Sequence, residues 1–166
     1  MIVKPDMPIL QRGNPLAKGL VACYPVFEGG GTTLRDISGQ NNNGTINGAT
    51  WVKTPFGRGL DFITDDFVNI PDSASTNLGN IATWLFRIKF NSIAEAPPHI
   101  ISKWIDGEAN GYYIYMNATH GLIYTTVSGG THIQTYGNAL PVLGTWYQYI
   151  VVKNGTAVTM YRNGAL

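Results

Sequence analysis

Over residues 82–90 the chain alternates: Ala82, Trp84, Phe86, Ile88 and Phe90 share one parity, all apolar, and Thr83, Leu85, Arg87 and Lys89 share the other, polar but for Leu85. Side chains of a β-strand point to opposite faces in turn, so this period makes a strand with one core face and one that turns wet toward its end. Similar apolar and aromatic runs at residues 112–116, 122–127, 132–136 and 146–153 follow at hairpin spacing. Asn154-Gly155 lies between the last of these and residues 156–162, and Asn-Gly supplies the backbone angles a tight hairpin needs. The 20 glycines and nine prolines fall between the runs instead of gathering in one linker, which is the spacing of an all-β chain. Helix is expected only as a single turn near residues 72–78.

Earlier in the chain, Gly39-Gln40-Asn41-Asn42-Asn43-Gly44-Thr45 has no apolar period and reads as a turn-forming bridge between β runs. Residues 20–27 are apolar on both parities and are expected as the first strand, with Pro25 demoting it to an edge or a bulge. Residues 59–63 and 67–70 read as two short strands of a hairpin around Thr64-Asp65-Asp66. Before them, Pro5, Pro8 and Pro15 remove backbone donors and disfavour helix, so residues 1–18 are expected as an extended arm and residues 19–166 as the domain.

Composition narrows the function. A chain of 166 residues suits one domain with a core large enough to need no cross-links. A net charge of +1 with 13% charged residues offers no basic field for a phosphate backbone, so no nucleic-acid partner is expected. Cys23 has no second cysteine to pair with and sits in an apolar run, where a buried thiol is expected. The N-terminus lacks the continuous apolar stretch of a signal peptide, and no run approaches the roughly 20 residues of a membrane span. A cytoplasmic protein is expected, or one displayed on a virion or outside the cell after release.

Several patterns now coincide in order. Gly19-Leu20-Val21-Ala22-Cys23-Tyr24 with Phe27-Glu28-Gly29-Gly30-Gly31 is followed by Leu34-Arg35-Asp36-Ile37-Ser38-Gly39 with Asn42-Asn43-Gly44-Thr45. Then come Phe56-Gly57-Arg58-Gly59-Leu60-Asp61-Phe62, Asp65-Asp66-Phe67-Val68, Thr145-Trp146-Tyr147 and Val158-Thr159-Met160-Tyr161-Arg162-Asn163-Gly164. Together they resemble a laminin-G-like jellyroll domain of the concanavalin A-like lectin/glucanase superfamily. Ile63 stands where that pattern usually has Asp-Gly, which shortens the turn. The resemblance implies an antiparallel two-sheet jellyroll sandwich and a binding role more often than a catalytic one. It also implies further strands after Leu166, so the sandwich is expected to be incomplete at its C-terminus. Either the sequence is a fragment, or a partner supplies those strands; alone, the chain is expected to aggregate or oligomerise.

Glycoside hydrolysis needs two carboxylates flanking the scissile bond. Glu28, Glu95 and Glu108 all lie in turn-type segments, and the adjacent Asp65 and Asp66 would point to opposite faces of a strand. No enzyme activity is expected. His99, His120 and His132 have no nucleophile elbow beside them, and no Cys or His spacing suits zinc. Calcium is the metal that the resemblance implies, with Asp36, Asp65, Asp66 and Asp106 as oxygen ligands. The other reading of Asp36 and Asp65 is that they hydrogen-bond their own turns.

Aromatic faces bind sugar rings with large contact area at low entropy cost, while nearby amides take the hydroxyls. Trp104, Tyr113, Tyr115, Tyr124 and Tyr136 are the candidate platforms, with Asn110, His132 and Gln134 as polar partners. Their strands would be neighbours if residues 98–136 form a meander; the same aromatics could equally serve as core. Trp84 and Trp146 are assigned to the core. Two functions fit: a non-catalytic carbohydrate-binding or adhesion module for a glycan or cell-surface polysaccharide, and a structural decoration or tail-associated protein of a bacterial virus that contacts other virion or surface proteins.

Overall fold

The computed structural model describes residues 10–11, 13–93, 99–103, 110–137 and 139–165. Among the described residues twelve antiparallel strands carry the fold: β1 (Thr33–Leu34), β2 (Gly44–Asn47), β3 (Thr50–Thr54), β4 (Gly57–Asp61), β5 (Phe67–Asn69), β6 (Ile81–Lys89), β7 (His99–Lys103), β8 (Gly111–Asn117), β9 (Gly121–Ser128), β10 (Thr131–Tyr136), β11 (Trp146–Asn154) and β12 (Ala157–Arg162). Helix among the described residues is confined to the single 3₁₀ turns Pro15–Ala17 and Ala74–Thr76, the second where a helical turn is expected from sequence. The architecture is all-β, with the layered antiparallel sheets of a jellyroll sandwich. The chain resolves into two compact units, Met1–Leu78 and Gly79–Leu166.

In the first unit β1, β2 and β5 form one sheet, and β3 and β4 form a hairpin. Leu34, Ile46 and Ala49 are its buried centre, with Tyr24, Val26, Trp51, Leu60 and Val68 packed around them. The polar bridge ends at Gly44, which pairs with Leu34 and is itself buried. A Cβ at Gly44 would run into Val68 Cγ1 while standing 3.4 Å from Ile70 Cγ1, so only glycine lets these strands close.

Two sequence expectations fail here for a physical reason. Residues 20–27 form no strand: Pro25 offers no donor and Val26 takes a positive φ of 55°, which breaks the pleat. The segment is tethered instead by Cys23, whose N–H donates to Asp36 and whose carbonyl accepts from Ile37 N–H. Residues 59–63 and 67–70 do not form a hairpin together either. A turn does close there, Asp66 N–H to Ile63 carbonyl at 3.2 Å with Asp65 at φ 67°, but the flanking strands part: β4 pairs with β3 and β5 with β2. Of the expected arm, residues 1–9 and 12 lie outside the described residues.

The second unit holds two sheets, β10-β9-β8-β7 and β12-β11-β6. Strands β7 to β10 lie side by side in chain order, as the expected meander requires. The β9–β10 turn is a chemically favoured one: Gly129-Gly130 between Ser128 and Thr131 have φ of 57° and 77°, the type I′ pattern. The β11–β12 loop is Gly155-Thr156, one residue later than Asn154-Gly155 suggests, with positive φ at Gly155 alone, as in a type II′ turn.

Trp84 holds the two sheets together. Its ring lies 5.2 Å from Tyr112 and 5.1 Å from Tyr124, both tilted contacts, and it is 8% exposed. Burying such a side chain contributes about 3 kcal/mol. Ile114, Met116, Leu122, Tyr149 and Val151 complete this layer, each nearly or fully buried. Trp146 departs from its core assignment: it pairs with Lys89 on the opposite face of β11, half-buried, with the Lys89 ammonium 6.0 Å from its ring. One odd or even step along a strand exchanges core for surface, and apolar neighbours on both parities hide which applies.

Candidate functional site

The four-stranded sheet has two unlike faces. Register places Ile101, Lys103, Tyr112, Ile114, Met116, Leu122, Tyr124 and Thr126 on the face toward Trp84. The other face receives His99 and Ser102 from β7, Tyr113 and Tyr115 from β8, Ile123, Thr125 and Val127 from β9, and His132, Gln134 and Tyr136 from β10. Cross-strand neighbours stand about 5 Å apart, so these side chains must interact. The bulge between His99 and Ile101 sets His99 opposite Tyr115.

Their interactions form a continuous sequence. The His99 imidazole stacks on Tyr113 at 4.4 Å and 22°, Tyr113 and Tyr115 are 5.6 Å apart, and the Tyr113 hydroxyl shares a hydrogen bond of 2.9 Å with His132 Nδ1. Gln134 Nε2 donates to the Tyr115 hydroxyl at 3.0 Å, and the Tyr136 hydroxyl donates to Gln134 Oε1 at 2.6 Å. His120, in the β8–β9 turn, stacks against Tyr136 at 4.7 Å. All three histidines of the chain therefore border this one face.

Beneath the rings β9 is dry. Ile123 and Thr125 are fully buried, and Thr125 Oγ1 has no hydrogen-bond partner. Above it His132, Gln134 and Tyr136 are exposed, Tyr115 is half-buried and Tyr113 is 8% exposed. Desolvation among its neighbours lowers the His99 imidazole below its ordinary value, and burial raises the Tyr115 phenol, with Tyr113 adding to the rise and Gln134 opposing it. The face offers aromatic and imidazole rings, hydroxyls and an amide. The charged residue among the described parts of β7 to β10 is Lys103, and it lies on the opposite face.

Five sequence candidates, Tyr113, Tyr115, His132, Gln134 and Tyr136, are thus brought together. Tyr124 is not: it packs on Trp84 in the core, 2% exposed, and burial, with Tyr112 adding to it, pushes its phenol up to about 12. Asn110 stands apart as a brace, its Oδ1 accepting the Gly129 N–H at 3.4 Å between the two hairpin ends. Trp104 lies outside the described residues. His99 and His120 were missed as contributors. His99 was legible only through a bulge, because simple alternation does not give its parity, and His120 reaches Tyr136 from a turn.

The acidic candidates do not converge. Asp36 Oδ1 accepts from Cys23 and Ser38 N–H at 2.9 and 2.8 Å, and Oδ2 accepts from Ser38 Oγ and Asn42 N–H at 2.7 and 3.0 Å. Burial alone would raise this carboxyl, but the hydrogen bonds from Ser38, Cys23 and Asn42 outweigh it and hold it below the usual carboxylate range. Oxygens facing four donors are not arranged for a cation, which needs bare lone pairs. Asp66 Oδ2 accepts from Ile63 N–H at 2.8 Å, and Asp65 is the left-handed residue of the same turn. These three residues do not fit a calcium site, and no group of three His, Cys, Asp or Glu able to hold a metal occurs among the described residues. Asp106 lies outside them.

Facing antiparallel sheets with an aromatic and amide surface free of Lys, Arg, Asp and Glu among its described residues define a lectin-like β-sandwich. A family model described as the concanavalin A-like lectin/glucanases superfamily matches residues 62–166, all of the second unit and the end of the first. That is well over half of the chain, and the chain belongs to this superfamily, through a laminin G family within it. No curated protein and no solved structure matches the chain. No helix among the described residues is long and apolar enough to cross a membrane.

Proposed function

We propose that the chain is a non-catalytic carbohydrate-binding or adhesion module and that the outer face of β7 to β10 holds a glycan, such as a cell-surface polysaccharide. One observation carries this reading. Tyr113 and Tyr115 of β8 and His132, Gln134 and Tyr136 of β10 meet on a single sheet face, tied by the Tyr113–His132 and Tyr115–Gln134–Tyr136 hydrogen bonds and by the contact between the Tyr113 and Tyr115 rings. Such a set is already ordered before a ligand arrives, so less side-chain entropy is lost on binding. Lack of catalysis is supported by chemistry: hydrolysis requires a pair of carboxylates, and the described residues of these four strands bring none to the face. A glycan array probed with the folded chain tests the reading; signal above background is expected, and its absence from every glycan would reject it.

A second reading, a structural decoration or tail-associated protein of a bacterial virus, is favoured by the outer face of β6. Ile81 and Leu85 stand there 76% and 64% exposed, apolar area of the sort that partners cover. Finding the protein in purified particles would support it, and failure to find it there would count against it.

A further inference from the structure

Unused hydrogen-bonding capacity on the β7 to β10 face identifies the chemistry of its occupant. The Gln134 amide has two N–H donors and a carbonyl with two lone pairs. One N–H is committed to Tyr115 and one lone pair to Tyr136. One donor and one lone pair therefore remain, side by side, on an exposed side chain. Tyr115 accepts from Gln134 and keeps its own O–H to give; Tyr136 gives its O–H to Gln134 and keeps its lone pairs. Across β8 and β10 the surface thus presents donor, donor, acceptor and acceptor within one bonded ladder.

A sugar hydroxyl both gives and takes a hydrogen bond, and it meets such a ladder at full valence. An anion takes only. Against this ladder a carboxylate or sulfate would meet unshared lone pairs, and the described strands bring no Lys or Arg to the face to repay its desolvation. We infer that the occupant is a short uncharged glycan chain lying across the strands and gripped by the Tyr115, Gln134 and Tyr136 ladder with the Tyr113 ring beside it. This rests on the glycan reading above. From His99 on β7 to Tyr136 on β10 is three strand spacings, about 14 Å and roughly three sugar rings end to end. The face is therefore longer than a monosaccharide, and affinity is expected to rise with chain length up to about that size.

The experiment is calorimetric titration of the full 166-residue chain at pH 8, above the ordinary imidazole value of about 6.5, with neutral oligosaccharides of increasing length and with uronate and sulfated oligosaccharides of matched length. Neutral chains are expected to bind and charged ones to bind at least about tenfold more weakly. Gln134→Met keeps the side-chain length, removes both ladder bonds and both free valences, and is expected to weaken neutral-chain binding about tenfold or more; Tyr136→Phe is expected to weaken it about threefold. Thr83→Ala, on the other sheet, is the reference variant. Amide spectra of each variant show whether the fold is kept, and in wild-type protein the Gln134 side-chain amide signals should shift on titration, which tests the site without any substitution. Charged chains binding as well as neutral ones would overturn the inference and leave the glycan reading standing. So would neutral binding that leaves the Gln134 signals and the Gln134→Met affinity unchanged. Binding of no glycan at all would overturn both.

Discussion

Two polar clusters of this chain, the Asp36 hub and the β8 to β10 face, use the same bonds to opposite ends. At Asp36 every oxygen is turned inward: two backbone N–H groups and Ser38 close the 36–38 turn and the Asn42 loop, and Cys23 ties residues 20–27 to it. Asn42 continues the pattern, its amide bonded to the Val21 carbonyl, Ser75 and Ser73. On the sheet face Tyr115, Gln134 and Tyr136 bond to one another and still have valences to spare. A polar network closed on the backbone builds the fold; one closed only on itself, over exposed rings, is free to meet a ligand.

Five measurements would break or sharpen that contrast. The largest effect is expected for Asp36→Ala, which leaves three backbone N–H groups and a hydroxyl without their acceptor; a loss of about 3 kcal/mol in urea unfolding is expected. A loss below about 1 kcal/mol would mean the hub is ornamental. Gly44→Ala, which forces a methyl group against Val68, is expected to cost about 2 kcal/mol by the same assay. Tyr115→Phe is expected to change stability by less than about 1 kcal/mol while still reducing glycan affinity, because its bond is exposed.

Acid should separate the two regions in order. His99 has a lowered folded pKa, so its contribution is present above the unfolded value of about 6.5 and fades as pH falls through the lowered one. Asp36 also has a lowered folded pKa, so its contribution is present above about 3.9 and is lost only as pH falls through a still lower value. Imidazole and amide NMR titrations should therefore show the aromatic face responding first and residues 36–42 holding until stronger acid. The smallest effect is expected from a calcium chelator. With Asp36 and Asp66 already engaged by donors, EGTA should leave the melting temperature where it was, and a drop would restore the cation.

Much of the site was legible beforehand. Tyr113 and Tyr115 on one face and Tyr112, Ile114 and Met116 on the other follow from parity alone, and the Gly and Asn turns that separate β8, β9 and β10 made a meander the natural arrangement. Tyr124 was misread because an aromatic on a fully buried strand has apolar neighbours on both sides of it, so the run carries no phase. The hairpin expected across Thr64-Asp65-Asp66 was misread because a turn specifies a reversal and not which strands will pair beyond it.

Sequence by itself determined where the strands from residue 81 onward lie and, at β6 and β8, which of their residues share a side, because these depend on chain geometry within a few residues. The tertiary structure decided the rest. Only it paired β5 with β2, stacked His99 on Tyr113, linked Gln134 to both Tyr115 and Tyr136, and turned Asp36 toward Cys23 instead of a cation. Those contacts join residues up to 24 positions apart, and strand register is chosen by the burial of whole faces at once, which no local pattern encodes.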